Sequence, residues 1–357
     1  MPNIITDPAQ VTPAWLTEIL RAKGDLPQGE VITIEKKDMD TSVTSLIVRF
    51  KLDYSTDAAT TAPRTILLKM TKPQQKEDFS IGIGRKEVAF YNNTVGTPTE
   101  CRAPRCYDAA YDAESDTFHL LLEDLTDSHF QTEWPLPPTQ ACCEQAIDAL
   151  ASIHAYWWDS PQLEMVAGAV PGEETIMSTL EQGQFLLASF VEFMGDRLSS
   201  ERRATYEQIL AALPRLSRRY TTGSNLTLTH GDAHLWNIRF PHDLEKDTAR
   251  LLDWQSCEMG IGPADLAYMM TLHWFPERRA LLEIPLLRRY HTRLIEGGVT
   301  TYSWDDCWYD YRLSAITSLL IPVWQWFVKL PAEIWWHHLE RGFLAFEDLK
   351  CAELLKG

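Results

Sequence analysis

Apolar residues recur along this chain with two different periods, and the change of period divides it. Over residues 8–24, Trp15, Ile19 and Leu20 fall on one side, which predicts a short opening helix. Residues 31–34 and 44–52 predict strands, the second alternating with Leu46, Val48, Phe50 and Leu52 on one face. A polar stretch, 53–63, reads as an exposed loop before a third strand at 65–70. After the breaks at Gly82 and Gly84, helical spacing runs over 85–95, and two further strands are expected near 105–107 and 117–122. The order β-β-β-α-β-β is that of a small antiparallel sheet with one packed helix.

The pattern changes after Leu125. Residues 127–138 are polar and rich in Pro, and from 139 or 140 onward helical spacing carries Ile147, Leu150, Ile153 and His154. Most of the remainder alternates helical patterns with short breaks, apart from a strand–loop–strand reading over 226–240 and 249–253. A linker near 124–138 therefore separates an expected N-terminal domain, 1–125, from a larger, mostly helical one, 126–357. Residues 313–328 lack charge, but Pro322 and Gln325 interrupt them and Lys329 closes them. That run is short for a bilayer core of about 30 Å, so a buried helix pair is expected there and no membrane span.

Composition adds limits. With 357 residues, 45% of them hydrophobic, the chain can fill two cores. A net charge of -17 and the lack of any basic run argue against a nucleic-acid partner and are compatible with a cationic small molecule. The seven Cys form an odd set without C-x-x-C pairs, which suits reduced thiols. The first residues lack a basic region followed by an apolar one, so no signal peptide is expected and the reading is cytoplasmic.

Candidate chemistry is concentrated in Thr229-His230-Gly231-Asp232-Ala233-His234-Leu235-Trp236-Asn237 and in the later Leu252-Asp253-Trp254-Gln255. Phosphoryl transfer needs a carboxylate that orients or accepts the attacking hydroxyl proton. It also needs an amide oxygen and a second carboxylate to hold magnesium on the phosphates. A β-hairpin whose Asp and Asn serve its turns would use the same residue types. Upstream, Lys69 follows Ile66-Leu67-Leu68, a place where an unpaired lysine is costly, and Glu87 stands eighteen residues on, ahead of Phe90-Tyr91. An exposed edge-strand lysine and a solvated helix glutamate would also account for that pair.

Taken with Leu121-Leu122-Glu123-Asp124-Leu125, these motifs resemble the superfamily of aminoglycoside phosphotransferases and choline kinases, and within it the ecdysteroid kinase-like branch. The resemblance runs from about Lys69 to Asp265. It implies an α+β, bilobal, protein-kinase-like fold. A small antiparallel N-lobe with one helix would bind the nucleotide (1–125), and a larger helical C-lobe would carry catalysis and substrate binding (126–357). It also implies ATP and Mg2+ as cofactors and a hydroxyl of a small organic molecule as acceptor. By the same resemblance Asp232 is the catalytic base, and Asn237 and Asp253 are the metal ligands. Lys69 contacts the phosphates and is positioned by Glu87, and the backbone around Glu123 and Leu125 meets the adenine edge. Trp254 and Gln255 depart from the Phe and Gly that follow the metal-binding Asp in protein kinases. The phosphate loop would be Asp38-Met39-Asp40-Thr41-Ser42-Val43-Thr44-Ser45, which has no glycine. There Thr41, Ser42 and Ser45 would approach phosphates, with two Asp as poor neighbours for an anion. His230 is expected to pack under the catalytic loop and Asp265 to brace it, while His234 is given no catalytic role.

Two readings of the C-terminal tryptophans stay open. Trp304 and Trp308 beside Asp305 and Asp306 could cage a cation, or the tryptophans could pack a core. Two other functions use the same fold: a protein kinase, and a catalytically silent binding or regulatory protein. The first is disfavoured because Asp265-Leu266-Ala267 follows Asp253 too closely for an activation segment, and no Ala-Pro-Glu follows.

Overall fold

The computed structural model describes residues 4–41, 45–58, 61–72, 82–94, 102–133, 136–170 and 172–356. They form two compact units, one of Met1–Gln131 with Arg239–Cys257, the other of Thr132–Ile238 with Glu258–Gly357. The segment that carries Asp253 thus packs with the first unit, although it follows Asp232 in the chain.

In the first unit the opening helix begins later than its apolar spacing suggests. Asp7 caps a single 3-10 turn over Pro8–Gln10, and the α-helix proper, α1 (Pro13–Ala22), starts where the Thr12 side chain accepts the Trp15 N–H and Pro13 fills the first turn. Five strands follow: β1 (Val31–Thr41), β2 (Ser45–Tyr54), β3 (Thr65–Thr71), β4 (Cys106–Asp112) and β5 (Thr117–Glu123). They make one antiparallel sheet in the order β1-β2-β3-β5-β4, with β3 at its centre. The alternation read in β2 holds: Leu46, Val48, Phe50 and Leu52 are buried with Ile66, Leu68 and Met70 of β3 and with Leu16 and Leu20 of α1. Trp15 and Ile19 sit at the margin of that core. Helix α2 (Ile83–Asn93) packs against β4 and β5 through a close approach: a Cβ on Gly84 would run into the Phe118 ring.

One expected loop is mostly strand. Asp40 pairs with Ile47 and Thr41 with Leu46, so β1 continues through most of 38–45. Only 42–44 remain between β1 and β2, and they lie outside the described residues.

The second unit is helical. Helix α3 (Gln140–Trp157) starts at Thr139, whose hydroxyl accepts the Cys142 N–H, and is followed by α4 (Leu163–Ala167), α5 (Glu173–Met194) and α6 (Ser200–Leu216). After a strand–loop–strand passage come α7 (Pro263–Ala267), α8 (Pro276–Glu296), α9 (Trp304–Ser318), α10 (Ile321–Phe327), α11 (Ala332–Asp348) and α12 (Ala352–Leu355). Helix α3 packs on α8, α7 on α9, and α10 on both α5 and α11. The uncharged run 313–328 is a helix pair, broken between α9 and α10, with Pro322 in the first turn of α10. Leu313, Ile316, Leu319 and Val323 are buried, whereas Trp324 and Phe327 are about half exposed at 53% and 54%. No helix among the described residues is long and apolar enough to cross a membrane.

Candidate active site

The first unit holds a buried charge cluster. Lys69 lies on the central strand, between Ile47 of β2 and Leu120 of β5, so it is no edge-strand residue. Its Nζ donates to Glu87 Oε2 at 2.7 Å and Oε1 at 2.9 Å, and to Asp253 Oδ1 at 2.7 Å. Glu87, only 1% exposed, also accepts the backbone N–H of Trp254. The readings of a surface lysine and a solvated glutamate therefore fail: an ammonium and a carboxylate this buried persist only as partners. Burial opposes the charge on Lys69, but Glu87 and Asp253 outweigh it and push Lys69 up to about 12. Glu87 is raised, first by burial and then by the Asp253 charge, against the pull of Lys69. One cation faces two carboxylates, so the cluster is short of positive charge.

Asp253 is placed by an unusual backbone. Its φ of 66° and ψ of 63° put it in the left-handed region, which Asp tolerates better than most residues, ahead of a 3-10 turn at Trp254–Ser256. The strain is held by Trp254, fully buried, whose ring stacks on Phe90 of α2 at 3.9 Å and 9° and whose Nε1 donates to the Leu251 carbonyl. Trp254 thus anchors the turn that carries Asp253. The second carboxylate oxygen of Asp253 accepts from Gln255 Nε2 at 3.3 Å.

In the second unit a strand at Thr227–Thr229 pairs with Glu258–Gly260, whereas the strand at Ile238–Pro241, which from Arg239 on belongs to the first unit, pairs with His129–Phe130 of that unit. The two strands that flank the motif therefore do not pair with each other, and the hairpin reading fails. Gly231, at φ 76°, supplies the left-handed turn between them. Asp265, 2% exposed, clamps the turn: its Oδ2 accepts the His230 N–H at 2.6 Å and its Oδ1 the Gly231 N–H at 3.0 Å. His154 holds Asp265 Oδ2 at 3.1 Å and is itself held by the Tyr290 hydroxyl at 2.8 Å. His230 is fully buried beneath the loop.

The loop presents Asp232 with three neighbours. Asn237 Nδ2 donates to its carbonyl at 3.0 Å and to its Oδ2 at 3.1 Å. The Tyr268 hydroxyl donates to Oδ1 at 2.8 Å, and His234 Nε2 stands 3.5 Å from Oδ2. Burial pushes the Asp232 carboxyl up, but hydrogen bonds from His234 and Tyr268 and the charge of His234 hold it below the ordinary carboxylate value. Asp232 is thus an ionised carboxylate fixed in one orientation. The amide nitrogen of Asn237 is committed to Asp232, so its oxygen is the atom able to meet a cation.

Tyr268 was not singled out by the sequence. The signal was its place one helical turn beyond Asp265: residues three apart share a face, so one carboxylate clamps the loop backbone while the next ring reaches its side chain. His234, given no catalytic role above, is the second neighbour that sequence reasoning passed over.

Other expected positions are occupied as follows. Glu123 ends β5, and its Oε2 accepts the Arg105 N–H at 3.1 Å, so this side chain ties the end of β5 to the residue just before β4. The Leu125 carbonyl accepts from His129 N at 2.9 Å and Ser128 N at 3.2 Å, which closes the turn after β5. Thr41 is the last residue of β1, and Ser42 lies outside the described residues. Of the tryptophans proposed as a cage, Trp304 has the Arg288 guanidinium over its face at 3.4 Å, and Asp306 is engaged with Ser303 in a capping box. Groups of the chain itself already use that aromatic face and that carboxylate.

The sequence of residues 41–299, well over half of the chain, matches the family model of the ecdysteroid kinase-like family. The chain belongs to that family. Among solved structures, a Ralstonia eutropha protein assigned as an aminoglycoside phosphotransferase shares the fold at a TM-score of 0.56 and 16% identity, with 95% of this chain and 98% of that one covered. The choline kinase of Cryptosporidium parvum does so at 0.52 and 13% identity, covering 95% of each chain. The ethanolamine kinase of Plasmodium vivax follows at 0.50 and 13%, covering 88% of this chain and 84% of its own. No match is found among curated proteins. Membership of the ecdysteroid kinase-like family places the chain with the kinase-like phosphotransferases of small molecules, on an α+β, protein-kinase-like fold.

Proposed function

We propose that the chain transfers the γ-phosphate of ATP, bound with Mg2+, to a hydroxyl of a small organic molecule. The observation that carries the reading is the buried Lys69, held by Glu87 and Asp253 at 2.7 Å in the middle of a sheet. Lys69 and Glu87 are buried while the Asp253 side chain stays 31% exposed, and a buried ion pair is no gain in stability over packed apolar residues. The arrangement makes sense where an anion comes to the lysine and a cation to the spare carboxylate.

In this reading the first unit is the nucleotide-binding one and the second the catalytic and substrate-binding one. Lys69 binds the phosphates, Glu87 fixes its direction, and the Leu125 N–H and the backbone near Glu123 meet the adenine. Thr41 and Ser42 belong to the phosphate loop and approach the phosphates. Asp253 and the Asn237 oxygen are the metal ligands. Among the described residues no three His, Cys, Asp or Glu side chains cluster to hold a metal. That donor set suits magnesium, which keeps its waters and takes one or two protein oxygens together with phosphates. When bound, magnesium neutralises the phosphate charge. Asp232, ionised and held by Tyr268 and Asn237, orients the acceptor hydroxyl and takes its proton as the oxygen bonds to phosphorus.

The test is calorimetric titration of Mg-ATP into the protein, into Lys69→Met and into Asp253→Ala. The reading expects binding to the parent and its loss or marked weakening in both variants. Equal affinity in all three would place the nucleotide elsewhere.

A further inference from the structure

Beside Asp232 the second unit packs a set of rings that the proposed mechanism does not use. His234 lies 5.3 Å from His273, centroid to centroid, and His273 in turn lies 4.9 Å from Tyr268, 5.7 Å from Trp236 and 4.4 Å from His338. His338 is accounted for, since its Nδ1 pairs with Gln325 Oε1 at 2.9 Å. The other two are not. His234 Nδ1 and His273 Nε2 are both buried, and neither has a hydrogen-bond partner among the described residues. A buried imidazole nitrogen left alone costs free energy comparable to a lost hydrogen bond. Two of them on adjoining rings, one ring in contact with the catalytic base, indicate that something polar completes them.

The charge of that partner follows from the surroundings. Burial pushes His273 well below its ordinary value, with His338, His234 and Arg341 adding to the effect, and burial likewise lowers His338 to about 4. Both rings are neutral at physiological pH. Arg341 donates to the Leu272 and His273 carbonyls on the same side. Among the described residues Asp232 is the one carboxylate in contact with these rings. An ammonium beside His273 would meet the Arg341 guanidinium, and one beside His234 would be drawn to Asp232 and away from the orphan nitrogens, while a second anion would crowd Asp232. An uncharged oxygen fits both orphan nitrogens, since a hydroxyl donates to one and accepts from the other.

We propose that His234 and His273 form a hydrogen-bonding subsite for an uncharged oxygen of the acceptor, adjacent to the hydroxyl that Asp232 serves. The inference rests on the reading of Asp232 as base, and it makes the two histidines determinants of specificity. A molecule carrying a second oxygen next to the reacting hydroxyl is preferred over its deoxy analogue, and over the analogue with an amine in that place. A site built to pair with a polar group rejects a substrate lacking it, because its own buried atoms are then left bare.

The test uses the full chain and three matched probes, trans-cyclohexane-1,2-diol, cyclohexanol and trans-2-aminocyclohexanol. Two readouts run in parallel: ATP-dependent phosphate transfer, and the imidazole carbon resonances of 13C-histidine protein with no nucleotide added. The diol is expected to exceed cyclohexanol and the amino alcohol in kcat/KM by about tenfold or more, one charge-free hydrogen bond's worth of discrimination. It is also expected to shift two histidine resonances, the ones missing from His234→Phe and His273→Phe. The preference is expected to vanish in His273→Phe and to return in part in His273→Gln, which restores a hydrogen-bonding atom. If an ordered water is the partner instead, the Phe variants lose thermal stability while diol and alcohol remain equivalent, and the proposal is overturned. Diol-dependent shifts without phosphate transfer to any probe would keep the subsite and reject the kinase reading. Transfer without preference and without shifts would do the reverse.

Discussion

Replacing Lys69 by Met separates the electrostatic and catalytic parts of the account. The side chain is 8% exposed and its ammonium contacts two carboxylates at 2.7 Å, one of which, Glu87, is 1% exposed. Breaking a buried pair by removing one partner leaves an uncompensated charge and costs about 3–5 kcal/mol. Lys69→Met is therefore expected to lose about that much stability near pH 8, read from urea unfolding. The loss should depend on pH in a definite direction. Glu87 is already raised in the folded protein, and without Lys69 to pull it down it rises further. A carboxyl whose folded value exceeds its unfolded one contributes stability that is fully present below the unfolded value and is lost as pH rises through the folded one. The variant should thus recover on acidification toward the ordinary carboxylate range. Lys69 itself, raised to about 12, contributes a constant amount to the parent from acid to mildly alkaline pH, and that part fades only as pH climbs from its ordinary 10.5 through about 12. Pairing Lys69→Met with Glu87→Leu removes the orphan carboxylate and should restore most of the stability at pH 8, with Mg-ATP binding still absent. A Lys69→Met protein as stable as the parent at pH 8, within about 0.5 kcal/mol, would refute the buried-cluster reasoning, since that is the scatter of surface substitutions.

Other outcomes are expected at the second half of the site. Asp232→Asn should keep Mg-ATP binding in calorimetry while turnover falls by about a hundredfold or more, the range of general base catalysis. Tyr268→Phe removes one hydrogen bond to an ionised group, which is worth about 1.5–3 kcal/mol. It should lower kcat about tenfold or more with little change in the KM for ATP, and an unaltered kcat would show that Asp232 does not need that anchor. Asp265→Ala frees the His230 and Gly231 N–H groups and leaves His154 without its carboxylate. The variant should unfold at lower urea and lose turnover together, and loss of neither would mean that the loop is held by other contacts.

The parts of this structure that the sequence declares are those where a local pattern and a tertiary constraint coincide. Lys69 interrupts an apolar run, and a lysine at such a place needs partners, which Glu87 and Asp253 supply. The second strand is legible because its alternate residues are all buried on one face. Its neighbour β1 is not, because it is an edge strand whose residues 32–39 are largely exposed and carry no apolar alternation, so its true extent to Thr41 is hidden among charges. The helix start at Pro13 depends on a Thr12 cap that apolar spacing does not register. Tyr268 and His234 escape notice because their role exists only in three dimensions, on the carboxylate of Asp232. Likewise, nothing in the composition of 239–257 announces that it packs with the first unit, since its anchors, the Phe90–Trp254 stack, the Lys69–Asp253 pair and the strand pairing with His129–Phe130, all join residues far apart in the chain.

Transfer of phosphate to a small alcohol is measured by following label from [γ-32P]ATP with magnesium into a broad panel of small hydroxylated molecules and, side by side, into generic protein substrates. Labelled small-molecule product is expected with the parent protein, and its near-complete loss in Asp232→Asn. Label appearing in proteins alone, or in no alcohol across the panel, would contradict transfer to a small alcohol.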